Sequence, residues 1–249
     1  MRNINSVRLS SEVIDREQLT LADRAAMLDL MQRHYDNLQP DRFFADLECK
    51  QWVILVRESQ RRTLCGFSTL AIVESDHDGR RLIALFSGDT VVDRRYWGDP
   101  ALGQAWGQFI LQWIEHQPDI AADWFLISQG FRTYRYLSLF FREFYPRFDR
   151  LTPTAIADRI ACFSTRLFGK RFDAARGIIL ADSNSYHLRN DLADVGGRAR
   201  FDPHVDYFLR MNPDHYNGDE LCCLAPLTRE NFTPAAWRVI NRCAPVDVG

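Results

Sequence analysis

The order of hydrophobic periods predicts an α/β (α+β) fold with a mixed, largely antiparallel central sheet flanked by helices. Three observations carry that expectation. Three apolar, strand-like runs follow one another at 51–59 (QWVILVRES), 64–75 (LCGFSTLAIVES) and 80–88 (RRLIALFSG). The links between them, QRR and DHDG, are short and polar, as in an antiparallel meander. From Pro100 the apolar residues change to helical spacing, Leu102, Ala105/Trp106, Phe109 and Trp113. A further strand candidate, DWFLISQG (123–130), then precedes a strongly apolar helical run, YRYLSLFFREFYPRF (134–148), which Pro146 closes.

Before the meander, residues 6–18 read as a first strand. Thr20 and Asp23 form an acidic capping box that opens a helix with the stripe Leu21, Ala25, Leu28, Met31, Tyr35. Pro40-Asp41 starts a shorter helical piece, DRFFADLEC. After residue 150 the character changes. Thr152-Pro153 and Thr233-Pro234 each place an N-cap before a first-turn proline, and each opens a helix. Between them lie a short strand candidate, GIIL (177–180), and a polar stretch at 181–203 that reads as a long loop. HVDYFLRMNP follows as a helix or strand, then ELCCLAPL as a buried strand. In that strand Cys222 and Cys223 point to opposite faces, one buried and one not. Residues 1–150 form the expected core. Because the 134–148 helix is apolar nearly all round, residues 151–249 are expected to cover it and pack on the core as one unit.

Composition excludes several classes. A hydrophobic fraction of 46%, a charged fraction of 26% and a net charge of −2 describe an ordinary globular chain. No overall field favours nucleic acid. The local pairs Arg94/Arg95 and Lys170/Arg171 suit the phosphates of a small ligand better than a nucleic-acid groove. The six cysteines and six histidines show no metal spacing, so no metal is expected and the histidines read as surface residues. The first residues lack an apolar targeting core, and no run approaches the ~20 apolar residues that span a bilayer. Cytoplasmic free thiols are the expectation.

The stretch 80–117 runs strand, tight polar turn, helix, which brings backbone N–H groups and the positive end of a helix dipole together. Its segment VVDRRYWGDPALGQAW resembles the pyrophosphate loop of the Gcn5-related N-acetyltransferase (GNAT) superfamily, Arg/Gln-x-x-Gly-x-Gly/Ala. Arg95-x-x-Gly98 matches the first half; Asp99-Pro100 departs from the second, and the next glycine is Gly103. Residues 123–148 are similar more distantly, without the family's Asn and with Phe141 near the place of its tyrosine. The resemblance covers at most residues 5–150.

The resemblance implies a GNAT-like sheet in which neighbouring central strands splay apart and bind a pantetheine arm. The implied donor is acyl-CoA, or the phosphopantetheine of an acyl carrier protein, and the implied acceptor is a small-molecule amine that attacks directly. Cofactor candidates are Val91 and Val92 through their backbone, with Arg94, Arg95, Gly98, Gly103 and Gln104 at the loop and helix. Catalytic candidates are Asp89 as base and Tyr134 or Tyr136 as the acid for the leaving thiolate. Each has a plainer alternative: a local Asx-type bond at a bulge marked by Gly88 for Asp89, and core packing for the tyrosines. At the level of the whole chain, a non-catalytic binding or regulatory module competes with the enzyme. So does an unrelated α/β fold with an ordinary strand-turn-helix.

Overall fold

The computed structural model describes residues 8–118, 120–194, 196 and 201–242. The N-terminal elements are β1 (Leu9–Asp15), α1 (Leu21–His34), β2 (Tyr35–Asp36) and α2 (Pro40–Glu48). The meander follows as β3 (Trp52–Glu58), β4 (Leu64–His77) and β5 (Arg80–Val92), then α3 (Ala101–His116), β6 (Ala122–Ser128) and α4 (Phe131–Phe140). The C-terminal part holds α5 (Thr154–Phe168), β7 (Phe172–Asp173), β8 (Ile178–Ile179), β9 (His187–Leu188) and α6 (Asn190–Ala193). It ends with α7 (Pro203–Met211), β10 (Glu220–Pro226) and α8 (Pro234–Ile240).

One eight-stranded sheet runs in the order β1-β3-β4-β5-β6-β10-β8-β7. Its paired strands are antiparallel except β5 and β6, which are parallel. Of the strands after residue 150, β7, β8 and β10 therefore extend the same sheet, while β9 pairs with β2 in a separate two-stranded sheet. Alternation along the strands sends side chains to two covered faces. Ile54, Val56, Leu85 and Leu126 meet Trp106, Leu137 and Phe140 of α3 and α4 on one face. On the other, Val53 and Leu55 meet α1 and α2, while Phe86 and Phe125 meet α5.

Local signals account for several boundaries. The Thr20 hydroxyl accepts from Asp23 N–H at 3.1 Å while Asp23 accepts from Thr20 N–H at 3.1 Å, completing the capping box. Thr233 caps Ala236 N–H at 3.1 Å with Pro234 in the first turn. At the other Thr-Pro step the helix begins one residue later, at Thr154, with Pro153 at the N-cap and no side-chain cap.

Four expectations are corrected. The helix through 134–148 stops at Phe140, and Phe141 becomes extended, bridging Phe232, while Tyr145 bridges Leu224. Phe140, Phe141, Phe144 and Tyr145 would share one face of a helix, so the helical period alone does not exclude it; the two bridges override it. The bent segment after Phe140 instead packs Phe141 and Phe144 into one core cluster and Tyr145 into the other. Cys222 and Cys223 are both buried, because β10 is an interior strand covered on both faces. The polar stretch 181–203 is no bare loop among its described residues: β9 pairs with β2, and α6 follows. The fourth correction concerns His34, which is buried, as set out below. Residues 6 and 7 of the expected first strand, Asp119, part of the 181–203 stretch and Cys243 lie outside the described residues.

Candidate active site

The parallel pairing of β5 with β6 runs from Ile83 opposite Ala122 to Ser87 opposite Leu126, and no further. Beyond that point β5 keeps only its bonds to β4, through Thr90, Val91 and Val92, and β6 keeps only its bonds to β10. The sheet forks. Trp124 Nε1 donates to Ser87 Oγ at 2.8 Å and ties the base of the fork. A cavity of about 530 Å³ fills the opening, lined by Gly88–Val92 on one limb and Ile127, Gln129 and Gly130 on the other. Its walls include α1–α2 residues from one face of the sheet and α3–α4 residues from the other, so the cavity crosses the sheet. A continuous ladder would close that route.

A bulge shapes the β5 limb, where Gly88 and Asp89 stand against Thr69 alone. A Cβ on Gly88 would lie 2.6 Å from both Lys50 Cε and Thr69 Oγ1, so the close approach requires glycine. Lys50 runs beneath it, buried, with Nζ 2.6 Å from Asp46 Oδ1.

On the α3–α4 face, Trp97 stands at the mouth. Its Nε1 donates to the Val92 carbonyl at 2.9 Å, and the Arg132 guanidinium lies 4.1 Å from its ring centre. Gly98 has φ +90°, a left-handed conformation that favours glycine, and Gly103 lines the cavity in the first turn of α3. The N–H groups of Leu102 and Gly103 have no intrahelical acceptor at that position. Asp99, however, caps Ala101 N–H at 2.9 Å, which puts a carboxylate where a phosphate-binding helix start would hold its ligand. The basic groups lining the cavity at this end are Arg132 and Arg135 of α4.

The structure separates the residues singled out in the sequence. Asp89, Val91, Val92, Gly98, Gly103 and Tyr136 line the cavity. Arg94, Arg95, Gln104 and Tyr134 do not, and each has a partner elsewhere. Arg95 folds back on Asp93 in its own turn, at 3.1 Å through Nε and 3.0 Å through Nη2, and this pairing holds Asp93 down at about 2. Arg94 reaches Asp191 at 3.1 Å, and Gln104 donates to the Arg242 carbonyl. Tyr134 is fully buried among Phe144, Tyr207 and Phe208, its hydroxyl donating to the Pro146 carbonyl at 2.9 Å. That is the core-packing alternative. Tyr136 is half-buried, and burial raises its pKa, which keeps its proton available.

On the α1–α2 face the cavity is acidic and aromatic. Asp89 accepts from the Tyr186 hydroxyl, 97 residues away, so its satisfaction is tertiary rather than an Asx turn. Burial, with Asp46 nearby, pushes Asp89 up to about 6. Glu220, at the start of β10, is pushed up to about 8 by burial, and its carboxyl takes no hydrogen bond among the described residues. Tyr35 and Tyr186 pack edge to face at 5.1 Å and are held protonated, first by burial and then by the neighbouring Asp89. His34 is 7% exposed and lines the cavity, with Nδ1 2.9 Å from the Leu30 carbonyl. A carbonyl only accepts, so Nδ1 carries a hydrogen.

The segment carrying Tyr186 is strapped across this end. Gln129 donates to the Tyr186 carbonyl at 3.1 Å and accepts from Leu188 N–H at 2.6 Å. Arg189 N–H donates to the His34 carbonyl at 3.0 Å, and Arg42 pairs with Asp182 at 3.1 Å. Sequence reasoning missed His34, Glu220 and Tyr186. The one available signal was the acid heading the apolar run ELCCLAPL, and nothing in the sequence linked it to Asp89.

No family model and no curated protein matches the chain. Among solved structures it is similar to a conserved Enterococcus faecalis protein of unknown function described as a probable N-acyltransferase, at 14% identity and TM-score 0.41, over 54% of this chain and 33% of that one. The matched segment thus spans about a third of that protein. It is also similar to a GNAT family N-acetyltransferase from Escherichia coli in complex with CoA, at 14% identity and TM-score 0.39, over 56% of this chain and 72% of that one. A Trypanosoma brucei acetyltransferase is similar at 19% identity and TM-score 0.39, over 59% of this chain and 100% of that one.

Among the described residues no helix is long and apolar enough to cross a membrane, and no group of three or more His, Cys, Asp or Glu is placed to hold a metal.

Proposed function

We propose that the protein transfers an acyl group from a pantetheine thioester, carried by coenzyme A or a carrier protein, to an amine. The observation that carries this reading is the forked β5–β6 pair with a cavity crossing the sheet at the fork. Unpaired strand groups there suit the amide-rich pantetheine arm. The Trp97–Arg132 mouth suits the aromatic and anionic end of the donor, and Arg132 and Arg135 take the part the sequence had suggested for Arg94 and Arg95. Asp99 is the misfit, since it competes with phosphate at the start of α3. It favours a mode in which the phosphates lean toward α4.

In the reaction the acceptor enters from the α1–α2 face. Asp89 takes a proton from the ammonium, directly or through water, and the neutral nitrogen attacks the thioester carbonyl carbon. A strand N–H on the forked limb stabilises the oxyanion, an effect that typically contributes ~3 kcal/mol. The C–N bond forms, the C–S bond breaks, the thiolate takes a proton from Tyr136, and the second proton shed by the nitrogen as it becomes an amide restores the Tyr136 hydroxyl. The amide product carries the acyl group, and the proton left on Asp89 passes to solvent.

Calorimetric titration with coenzyme A and acyl-CoAs, followed by turnover on an amine panel, tests this. Binding of the donor and amide formation are expected. No binding by the unaltered chain and by a Trp97→Ala variant alike would remove the donor assignment. Donor binding without turnover would favour the non-catalytic module, a reading that the Asp99 cap also favours.

A further inference from the structure

Beneath the β5 bulge runs a buried cation that the proposed chemistry leaves unused. Lys50 lies between α2 and β3 with its side chain 3% exposed. Its Nζ donates to the Asp46 carboxylate at 2.6 Å and to the Asp46 carbonyl at 3.2 Å. The Phe86 ring lies against it, with Nζ 5.5 Å from the ring centre. Asp46 is 51% exposed, and a lysine four residues on could pair with it at the surface, so the pair does not explain the burial. Burying an ammonium is costly. The chain nevertheless leaves room for this one at position 88, where a Cβ would meet Lys50 Cε at 2.6 Å and lie 3.5 Å from Nζ. The ammonium therefore runs directly under the backbone that carries Asp89, the next residue.

The groups acting on Asp89 come from each element packed against it. They are Asp46 of α2, Lys50, Tyr35 of β2, Tyr186 of the strap and Glu220 of β10. His34 of α1 and Arg42 of α2 line the same cavity, Arg42 paired with Asp182 at 3.1 Å, and Arg171 acts on Glu220. Burial keeps both tyrosines protonated, and Glu220, pushed up to about 8, keeps its proton at neutral pH. Among the groups that act on Asp89, two charges are left at neutral pH. Asp46 favours its protonation and Lys50 opposes it. Asp46 lines the cavity, whereas Lys50 is not among the lining residues and acts from beneath the sheet.

We propose that Lys50 is a positioning residue for the acyl-transfer base, its buried ammonium beneath the bulge offsetting Asp46 and holding Asp89 ionised. The part Asp89 plays in the chemistry rests on the acyl-transfer reading. The electrostatic link between Lys50 and Asp89 does not.

The test is a pH titration of the full chain followed by carboxyl-carbon NMR, with the Asp89 signal assigned by its loss in Asp89→Asn, beside the pH profile of kcat/KM. Lys50→Met removes the cation and is expected to move the Asp89 midpoint up by about one pH unit. Asp46→Asn keeps Lys50, removes the opposing carboxylate and is expected to move the midpoint down. The acid limb of kcat/KM is expected to follow in both variants. Asp46 is half-exposed, so its variant carries the test on its own should Lys50→Met fail to fold. An Asp89 midpoint that stays in place in the folded variants, or moves the same way in both, overturns the inference. Midpoints that move as expected while the acid limb stays fixed keep the electrostatic link and remove Asp89 as the base.

Discussion

The two ends of the cavity are built in different ways. The α3–α4 end is assembled largely from one stretch, Val91 to Gly103, with Arg132 and Tyr136 added from the next helix. The α1–α2 end draws on His34, Asp89, Tyr186 and Glu220, which come from four separate elements or segments. The first end is short-range, partly exposed and cationic; the second is long-range and lined by carboxyls, tyrosines and a buried histidine. Groups close in sequence can be read as a motif. They can also satisfy each other, as Asp93 does for Arg95 in the same turn. Groups brought together by the fold retain unmet bonding and perturbed pKa values, which is what chemistry needs.

Four measurements sharpen or break that contrast. The largest effect is expected for Asp89→Asn, which removes the proposed base: turnover should fall about 10²-fold or more with donor affinity preserved. An unchanged rate would move the base elsewhere, with His34 next in line. Arg132→Ala should raise the donor KM about tenfold through loss of the charge and of its packing on Trp97, and leave the amine KM in place. An equal effect on both substrates would mean that the two ends are not separate.

The third effect is on stability. The folded-state pKa of Glu220 is raised to about 8 from an ordinary 4.5, so the folded chain holds a proton that the unfolded chain releases across that window. Its contribution is therefore fully present below about pH 4.5 and lost as pH rises through about 8. Asp46, Asp89 and Asp219 push in the same direction, and Arg171 opposes them. Glu220→Gln should leave Tm unchanged at pH 5 and raise it by about 2–4 °C at pH 8.5. A Tm difference independent of pH would show that Glu220 does not titrate in this window. The smallest effect is expected for Arg95→Ala, within about twofold on donor KM, because its guanidinium is held by Asp93 and exposed. A tenfold loss would restore the role the sequence motif suggested.

Much of the scaffold was legible before folding. The meander, the helix from Pro100, the β6 strand, the Thr20 capping box and the Thr233-Pro234 helix start all rest on period or on interactions over three or four residues. The helix through 134–148 failed because its aromatic run satisfies a helical and an extended pattern equally well. Only the pairing of Phe141 with Phe232 and Tyr145 with Leu224 decides between them. The bulge at Gly88–Asp89 was legible from a glycine beside an acid in an apolar run. The partner of that acid was not.

The sequence by itself determined the sheet-forming and helix-forming segments and the neighbourhood of the site, since propensity, capping and turn chemistry act over a few residues. Only the tertiary structure decided where the β5–β6 pairing stops, which arginines face the cavity, and that His34, Asp89 and Glu220 line one cavity. Those facts depend on strand register and on a strap more than ninety residues downstream of Asp89, and no local preference encodes a contact at that range.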